Sequence, residues 1–165
     1  MHDSCYRLFA AFVDALPPGL KVLDVGSYDV NGCLRPLFEA HDYTGCDQVP
    51  GPNVDVVQPG PYALPFPDGA FDVLVSANCL EHCPRPWQLV LEMDRVLRPG
   101  GLMAIEVPFW IHQHRYPVDC WRLLPDGLAE LFGPWMLEHG RPPYGVLDNR
   151  IDGIDTWFVG RKAAS

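Results

Sequence analysis

Lys21-Val22-Leu23-Asp24-Val25-Gly26-Ser27-Tyr28-Asp29-Val30-Asn31-Gly32 is the stretch from which the rest of the chain is best read. Its first five residues form a short, mostly apolar run, with Lys21 at its start and Asp24 within it, which has the length and composition of a buried strand. Gly26 lets the backbone approach a ligand closely, and Asn31-Gly32 suits positive φ, so the strand runs into a turn. Taken alone, that turn fits a plain connection as well as a binding loop. A helical stretch from about Cys33 to Ala40 completes a strand, loop and helix unit.

Upstream of this unit, Leu8, Phe9, Phe12, Val13 and Leu16 recur at helical spacing. Ser4 is the expected N-cap and Pro17-Pro18-Gly19 the stop, which gives a leading amphipathic helix within residues 1–19. Downstream, Tyr43-Thr44-Gly45-Cys46 forms a second strand ending in Asp47, and Val54 to Val57 a weak third. Too few residues then remain for a full crossover helix before the next strand, so this region is expected to be abbreviated. Phe71 to Ser76 reads as a buried strand, Trp87 to Leu97 as the helix behind it, and Leu102 to Val107 as a further strand after Pro99-Gly100-Gly101. The alternation predicts an α/β fold: a Rossmann-like, doubly wound, mostly parallel sheet with helices on both faces. Pro108 to Leu124 shows no period and is expected to be a functional loop. Pro125 to Phe132 reads as a short helix, and Trp135 to Glu138 with Thr156 to Val159 as a C-terminal antiparallel strand pair.

Composition narrows the function classes. The 165 residues suit one domain, residues 1–165, with 48% hydrophobic and 20% charged residues. No apolar run approaches the ~20 residues of a membrane span. His2, Asp3 and Arg7 interrupt the N-terminus, so a signal peptide is not expected and a cytoplasmic location is the default. The six cysteines are scattered through apolar segments and read as buried free thiols. A net charge of −9 with only two lysines argues against nucleic acid as a partner. A homodimer is left open.

In doubly wound sheets, ligands bind beyond the carboxyl ends of strands where the strand order reverses. Asp47 stands twenty-one residues after Gly26, where a carboxylate can accept hydrogen bonds from both hydroxyls of a ribose; a solvated loop aspartate is the plainer alternative. The segment Leu64-Pro65-Phe66-Pro67-Asp68-Gly69-Ala70-Phe71-Asp72 has apolar residues that suit the flanks of an adenine ring, or simply a proline-stiffened turn.

The ordered set Val22-Leu23-Asp24-Val25-Gly26, Tyr43-Thr44-Gly45-Cys46-Asp47, Leu64 to Asp72, Leu80-Glu81-His82 and Arg95-Val96-Leu97-Arg98-Pro99-Gly100-Gly101 resembles the class I S-adenosylmethionine-dependent methyltransferases of the methyltransferase type 11 kind. The likeness covers about residues 20 to 132. It implies that Asp24, Gly26 and Ser27 lie by the methionine end of S-adenosylmethionine and that Asp47 holds the ribose. Ala63 and Leu64 would then lie near adenine, with Asn78 where cofactor and substrate meet. The family loop usually carries further glycines, where this chain has Tyr28 and Val30. The segment His112 to Arg122 is similar to one found in bacterial methyltransferases of sugar and glycan pathways.

These readings lead to methyl transfer onto a small-molecule or glycan acceptor, with a hydroxyl oxygen as the favoured atom. His112 and His114, on a loop expected to overhang the sulfonium, are the candidate bases. The alternative is that His112, Asp119 and Arg122 only tie the loop down. Glu106 is expected to pair with Arg122 or Arg115. Cys79, His82, Cys83, His112 and His114 match no closed metal-site spacing, so no metal is expected and His82 is read as ordering its loop. Two rival functions remain: a non-catalytic cofactor-binding domain, suggested by Tyr28, and a nicotinamide-dependent oxidoreductase, disfavoured by the missing Gly-x-Gly-x-x-Gly turn.

Overall fold

The computed structural model of the chain describes residues 3–164, so Met1 and His2 of the expected leading segment lie outside the described residues. Seven strands form one sheet in the order β3-β2-β1-β4-β5-β7-β6. They are β1 (Lys21–Val25), β2 (Asp42–Asp47), β3 (Val56–Val57), β4 (Phe71–Ala77), β5 (Leu97–Pro108), β6 (Gly145–Asp152) and β7 (Asp155–Arg161). Strands β1 to β5 pair in parallel, while β7 runs antiparallel to both β5 and β6.

Alternation along the strands divides the core into two layers. Leu23, Val25, Leu74, Met103, Ile105 and Phe158 face the helices α2 (Pro86–Val96), α3 (Pro125–Phe132) and α4 (Pro134–Glu138). Val22, Val73, Val75, Ala104, Trp157 and Val159 face Cys5, Leu8 and Phe9 of helix α1 (Asp3–Asp14) and, beside it, Leu34 and Phe38. The Rossmann-like arrangement with a C-terminal antiparallel pair is therefore present.

Several local expectations change. The first member of the antiparallel pair is β6, not Trp135 to Glu138, which is the helix α4; Pro134 at its first turn presets the helical φ. The stretch Cys33 to Ala40 contains only a short 3₁₀ turn, Arg35–Phe38. Ser4 lies inside α1 and its hydroxyl donates to Asp155, so it does not cap the helix. All six cysteines are free, but only Cys5, Cys46 and Cys83 are buried, and Cys120 is exposed. The region after β2 is abbreviated as expected: among the described residues no helix lies between β2 and β4. No described helix is long and apolar enough to cross a membrane.

Candidate active site

The strand order reverses between β1 and β4, and the loops after β1, β2, β4 and β5 enclose a cavity of about 690 Å³ at that point. Asp24, Gly26, Ser27, Asp47, Asn78 and His114 all line it. Ala63, Leu64 and His112 do not. Leu64 is a core residue whose N–H donates to Glu92 (3.0 Å) and whose carbonyl accepts from Arg95 (2.9 Å), so its backbone is already committed; Pro61 and Tyr62 line the cavity instead. His112 is exposed, and its carbonyl accepts a long bond from Arg122 (3.5 Å).

The first wall is made by strand ends. The N–H groups of Gly26 and Ser27 both donate to the Cys46 carbonyl, which carries the β1–β2 pairing into the loop. Gly26 has φ +84°, and a Cβ there would lie 2.5 Å from Cys79 Sγ, so only glycine fits between the two loops. The carboxylate of Asp47 accepts from the N–H groups of Tyr28 (3.1 Å) and Val49 (3.3 Å), which fixes its orientation at the cavity edge. Tyr28 lies against Gly51, where a Cβ would come within 2.1 Å of its ring; the ring therefore finds a place beside the loop despite standing at a usual glycine position. Asp24 accepts from the Tyr43 hydroxyl, and burial pushes its carboxyl up to about 7 against that hydrogen bond.

The opposite wall comes from the residues after β4 and β5. Asn78 takes φ +50°, an uncommon conformation that asparagine tolerates, and its side chain donates to Glu106 (2.8 Å). Glu106 therefore pairs with Asn78 and not with Arg122 or Arg115, and burial followed by the nearby Asp155 holds its carboxyl well above the usual range. Arg122 is held by Asp119, at 2.5 and 2.8 Å. Asp119 also accepts from the His114 N–H (2.8 Å), and the guanidinium keeps its carboxyl well below the usual range. The 109–124 loop is pinned further where Cys120 and Trp121 donate to the Glu81 carbonyl and the Trp121 indole donates to the Cys83 carbonyl.

Within this wall, the rings of His82 and His114 meet edge to face, their centroids 4.8 Å apart. Burial and the neighbouring His82 hold the His114 imidazolium below its ordinary value, so the ring is neutral at pH 7. Glu81 is fully buried beneath them, and burial pushes its carboxyl up to about 8. Sequence reasoning passed over Glu81 as a site residue. Its signal was a carboxylate four residues past a buried strand, between Leu80 and His82.

Comparison with known proteins bears on the fold and on residues 24–105. The family model for a methyltransferase domain matches residues 24–105. An uncharacterized methyltransferase of Mycobacterium sp. (strain KMS) is 37% identical over 115 residues, covering 63% of this chain and 45% of the relative. A SAM dependent methyltransferase from Aquifex aeolicus has the same fold, with a TM-score of 0.69 at 17% identity over 95% of this chain and 88% of its own. So does the Burkholderia thailandensis 1,6-didemethyltoxoflavin-N1-methyltransferase, solved with its namesake ligand and S-adenosylhomocysteine: TM-score 0.69, 21% identity, 98% and 80% covered. The fold and its switch-point cavity define a Rossmann-like α/β protein. Residues 24–105 thus carry the pattern of a methyltransferase domain, and the fold is the one seen in S-adenosylmethionine-dependent methyltransferases. The chain spans less than half the length of the curated relatives it matches.

Proposed function

We propose that this chain binds S-adenosylmethionine across the β1–β4 switch point and transfers its methyl group to a hydroxyl oxygen of a small-molecule or glycan acceptor. The observation that carries this reading is the convergence of Gly26 and Asp47 on one cavity, with Asn78 and His114 across from them. A volume of about 690 Å³ suits a ligand of nucleoside size. Asp24 and Asp47 on the lining complement a ligand that carries a sulfonium and an ammonium group.

The cofactor would supply a methyl group already activated by its positive sulfur, so alignment is the main task left to the protein. Asp47 is the proposed acceptor for the ribose hydroxyls, and Asp24, Gly26 and Ser27 the proposed neighbours of the methionine end. Pro61 and Tyr62 stand where Ala63 and Leu64 were expected to flank adenine. His114, neutral and on the cavity, is the proposed acceptor of the hydroxyl proton; His112 lies off the cavity and is not retained in that role.

Titration calorimetry with S-adenosylhomocysteine tests the binding step. Asp47→Ala is expected to weaken binding by about 1–3 kcal/mol through loss of charge-assisted hydrogen bonds. An unchanged affinity in the folded variant removes Asp47 from the site. Incubation with methyl-labelled cofactor and a panel of hydroxylated acceptors tests transfer, and binding without labelled product would favour a non-catalytic domain.

A further inference from the structure

At the acceptor end of the cavity, Glu81, His82 and His114 form a cluster that a single imidazole base leaves unexplained. Glu81 is fully buried, and among the described residues neither of its carboxylate oxygens has a hydrogen-bond partner. Such a group is costly unless something else satisfies it. Glu81 Oε1 lies 3.5 Å from His82 Nε2 and 3.8 Å from His114 Nε2. One ligand atom from each of the three residues falls within 4.8 Å of the others.

The far side of each ring completes the picture. His82 Nδ1 is 2.5 Å from the Val118 carbonyl, whereas His114 Nδ1 faces Asp119 Oδ2 at 3.7 Å, beyond hydrogen-bond reach, and only its backbone N–H bonds that carboxylate. Protonated on Nδ1, both rings turn an Nε2 lone pair toward Glu81. Metal-ligating histidines are oriented in this way, with the second N–H directed at a backbone carbonyl or a carboxylate. Asp119 is itself fixed by Arg122, which keeps its carboxylate beside the His114 ring.

We propose that Glu81, His82 and His114 bind one divalent transition-metal cation at the acceptor end of the cavity. Two imidazoles and one carboxylate suit zinc, manganese or ferrous iron, whereas magnesium and calcium prefer all-oxygen sites. Ligand bonds of ~2.0–2.2 Å place tetrahedral ligands roughly 3.4 Å apart, and the two separations from Glu81 are already close to that. Three protein ligands leave a position open, and His82 and His114 both line the cavity into which it would face.

The cation's role rests on the proposed methyl transfer; its binding does not. An acceptor hydroxyl on the open position loses its proton to water, and its oxygen lone pair then attacks the methyl carbon. The carbon–sulfur bonding pair leaves with sulfur, giving a methyl ether and S-adenosylhomocysteine. In this state His114 is a ligand, and coordination replaces the imidazole as the means of making the hydroxyl acidic.

The test uses the tag-free chain after chelator treatment, titrated with Zn²⁺ by calorimetry and with Co²⁺ by visible absorption. One equivalent should bind, and Glu81→Gln and His114→Ala should each weaken binding more than ~10-fold, at least the effect of an outer-shell change. Asp47→Ala should keep the metal affinity while losing affinity for S-adenosylhomocysteine, which separates failure of this site from failure of the methyl-transfer reading. No stoichiometric binding, or binding unchanged in Glu81→Gln and His114→Ala, overturns the proposal. Should Glu81→Gln fail to fold by circular dichroism, the result for the partly exposed His114 decides.

Discussion

On one wall of the cavity, Asp24, Gly26 and Asp47 sit on or beside strands β1 and β2, which are tied into the ladder on both sides. On the other, His82 ends a short 3₁₀ turn and His114 rides on the 109–124 loop, held by bonds to the Glu81 and Cys83 carbonyls and by the Asp119–Arg122 pair. The first wall can move only if the sheet moves. The second can be rebuilt by changing a loop, which is how one fold accepts different substrates around a constant cofactor site. The methyl acceptor is therefore to be sought through the loop, and the cofactor through the strand ends.

The sharpest way to break the first wall is Gly26→Ala. The substitution combines a left-handed φ with a Cβ placed 2.5 Å from Cys79 Sγ and 2.6 Å from Cys79 Cβ. Backbone strain and overpacking each cost about 1–3 kcal/mol. Urea unfolding should show the combined loss, and S-adenosylhomocysteine affinity should fall with it. Adding Cys79→Ala should not rescue the protein, because the Cys79 Cβ remains. Full stability in Gly26→Ala would mean that the two loops can part, and the contrast between the walls would lose its basis.

Asp24 gives the same wall a pH signature. Its carboxyl is raised to about 7 from an ordinary 3.8 by burial, with Asp47 adding to the rise and Tyr43 and Arg35 opposing it. Between these values the unfolded chain is ionised while the folded chain still holds the proton, so unfolding free energy falls as pH rises from about 4 to 7 and levels off above. The slope approaches ~1.4 kcal/mol per pH unit. Asp24→Asn removes this contribution, so wild type should lose stability relative to the variant across that window. Parallel stability curves for the two proteins would refute the assignment.

The loop wall is tested by Asp119→Ala. The side chain is only 2% exposed and holds both the Arg122 guanidinium and the His114 N–H. Removing it should cost about 2 kcal/mol of local stability, within the range for hydrogen bonds to charged groups. Proteolysis within 109–124 should accelerate and turnover should fall, while S-adenosylhomocysteine affinity stays near the wild-type value. Equal losses of both would show that the walls are mechanically coupled.

The same contrast decides what the amino-acid pattern disclosed. Strands β1 and β4 and the 102–107 half of β5 are apolar runs and α2 repeats at helical spacing, so each is visible locally, whereas the first residues of β5 read as a helix end and stop because of Pro99-Gly100-Gly101; Asp47 is legible by its distance from Gly26, one strand–loop–strand passage. Edge strand β6 is mostly exposed and has no apolar run to mark it. Trp135 to Glu138 is too short for its period to separate helix from strand, and the Pro134 signal carried the answer. That Leu64 lies off the cavity is not legible in the sequence, because the pull of Glu92 and Arg95 on its backbone arises only in three dimensions. The union of Glu81 with His114 was hidden for a similar reason: the loop folds back to deliver the second histidine beside the turn after β4.

The smallest effect expected is also informative, because His112 and His114 are indistinguishable by composition and lie two residues apart. His112 is exposed and off the cavity, and its backbone carbonyl accepts from Arg122 at 3.5 Å. His112→Ala keeps that carbonyl, so turnover and stability should stay within ~0.5 kcal/mol of wild type, as for a surface position. His114→Ala, measured beside it, removes the ring that faces Glu81 and should lower turnover more than cofactor affinity. A loss of turnover in His112→Ala as large as that in His114→Ala would mean the loop closes further over its substrate than the pinned arrangement allows.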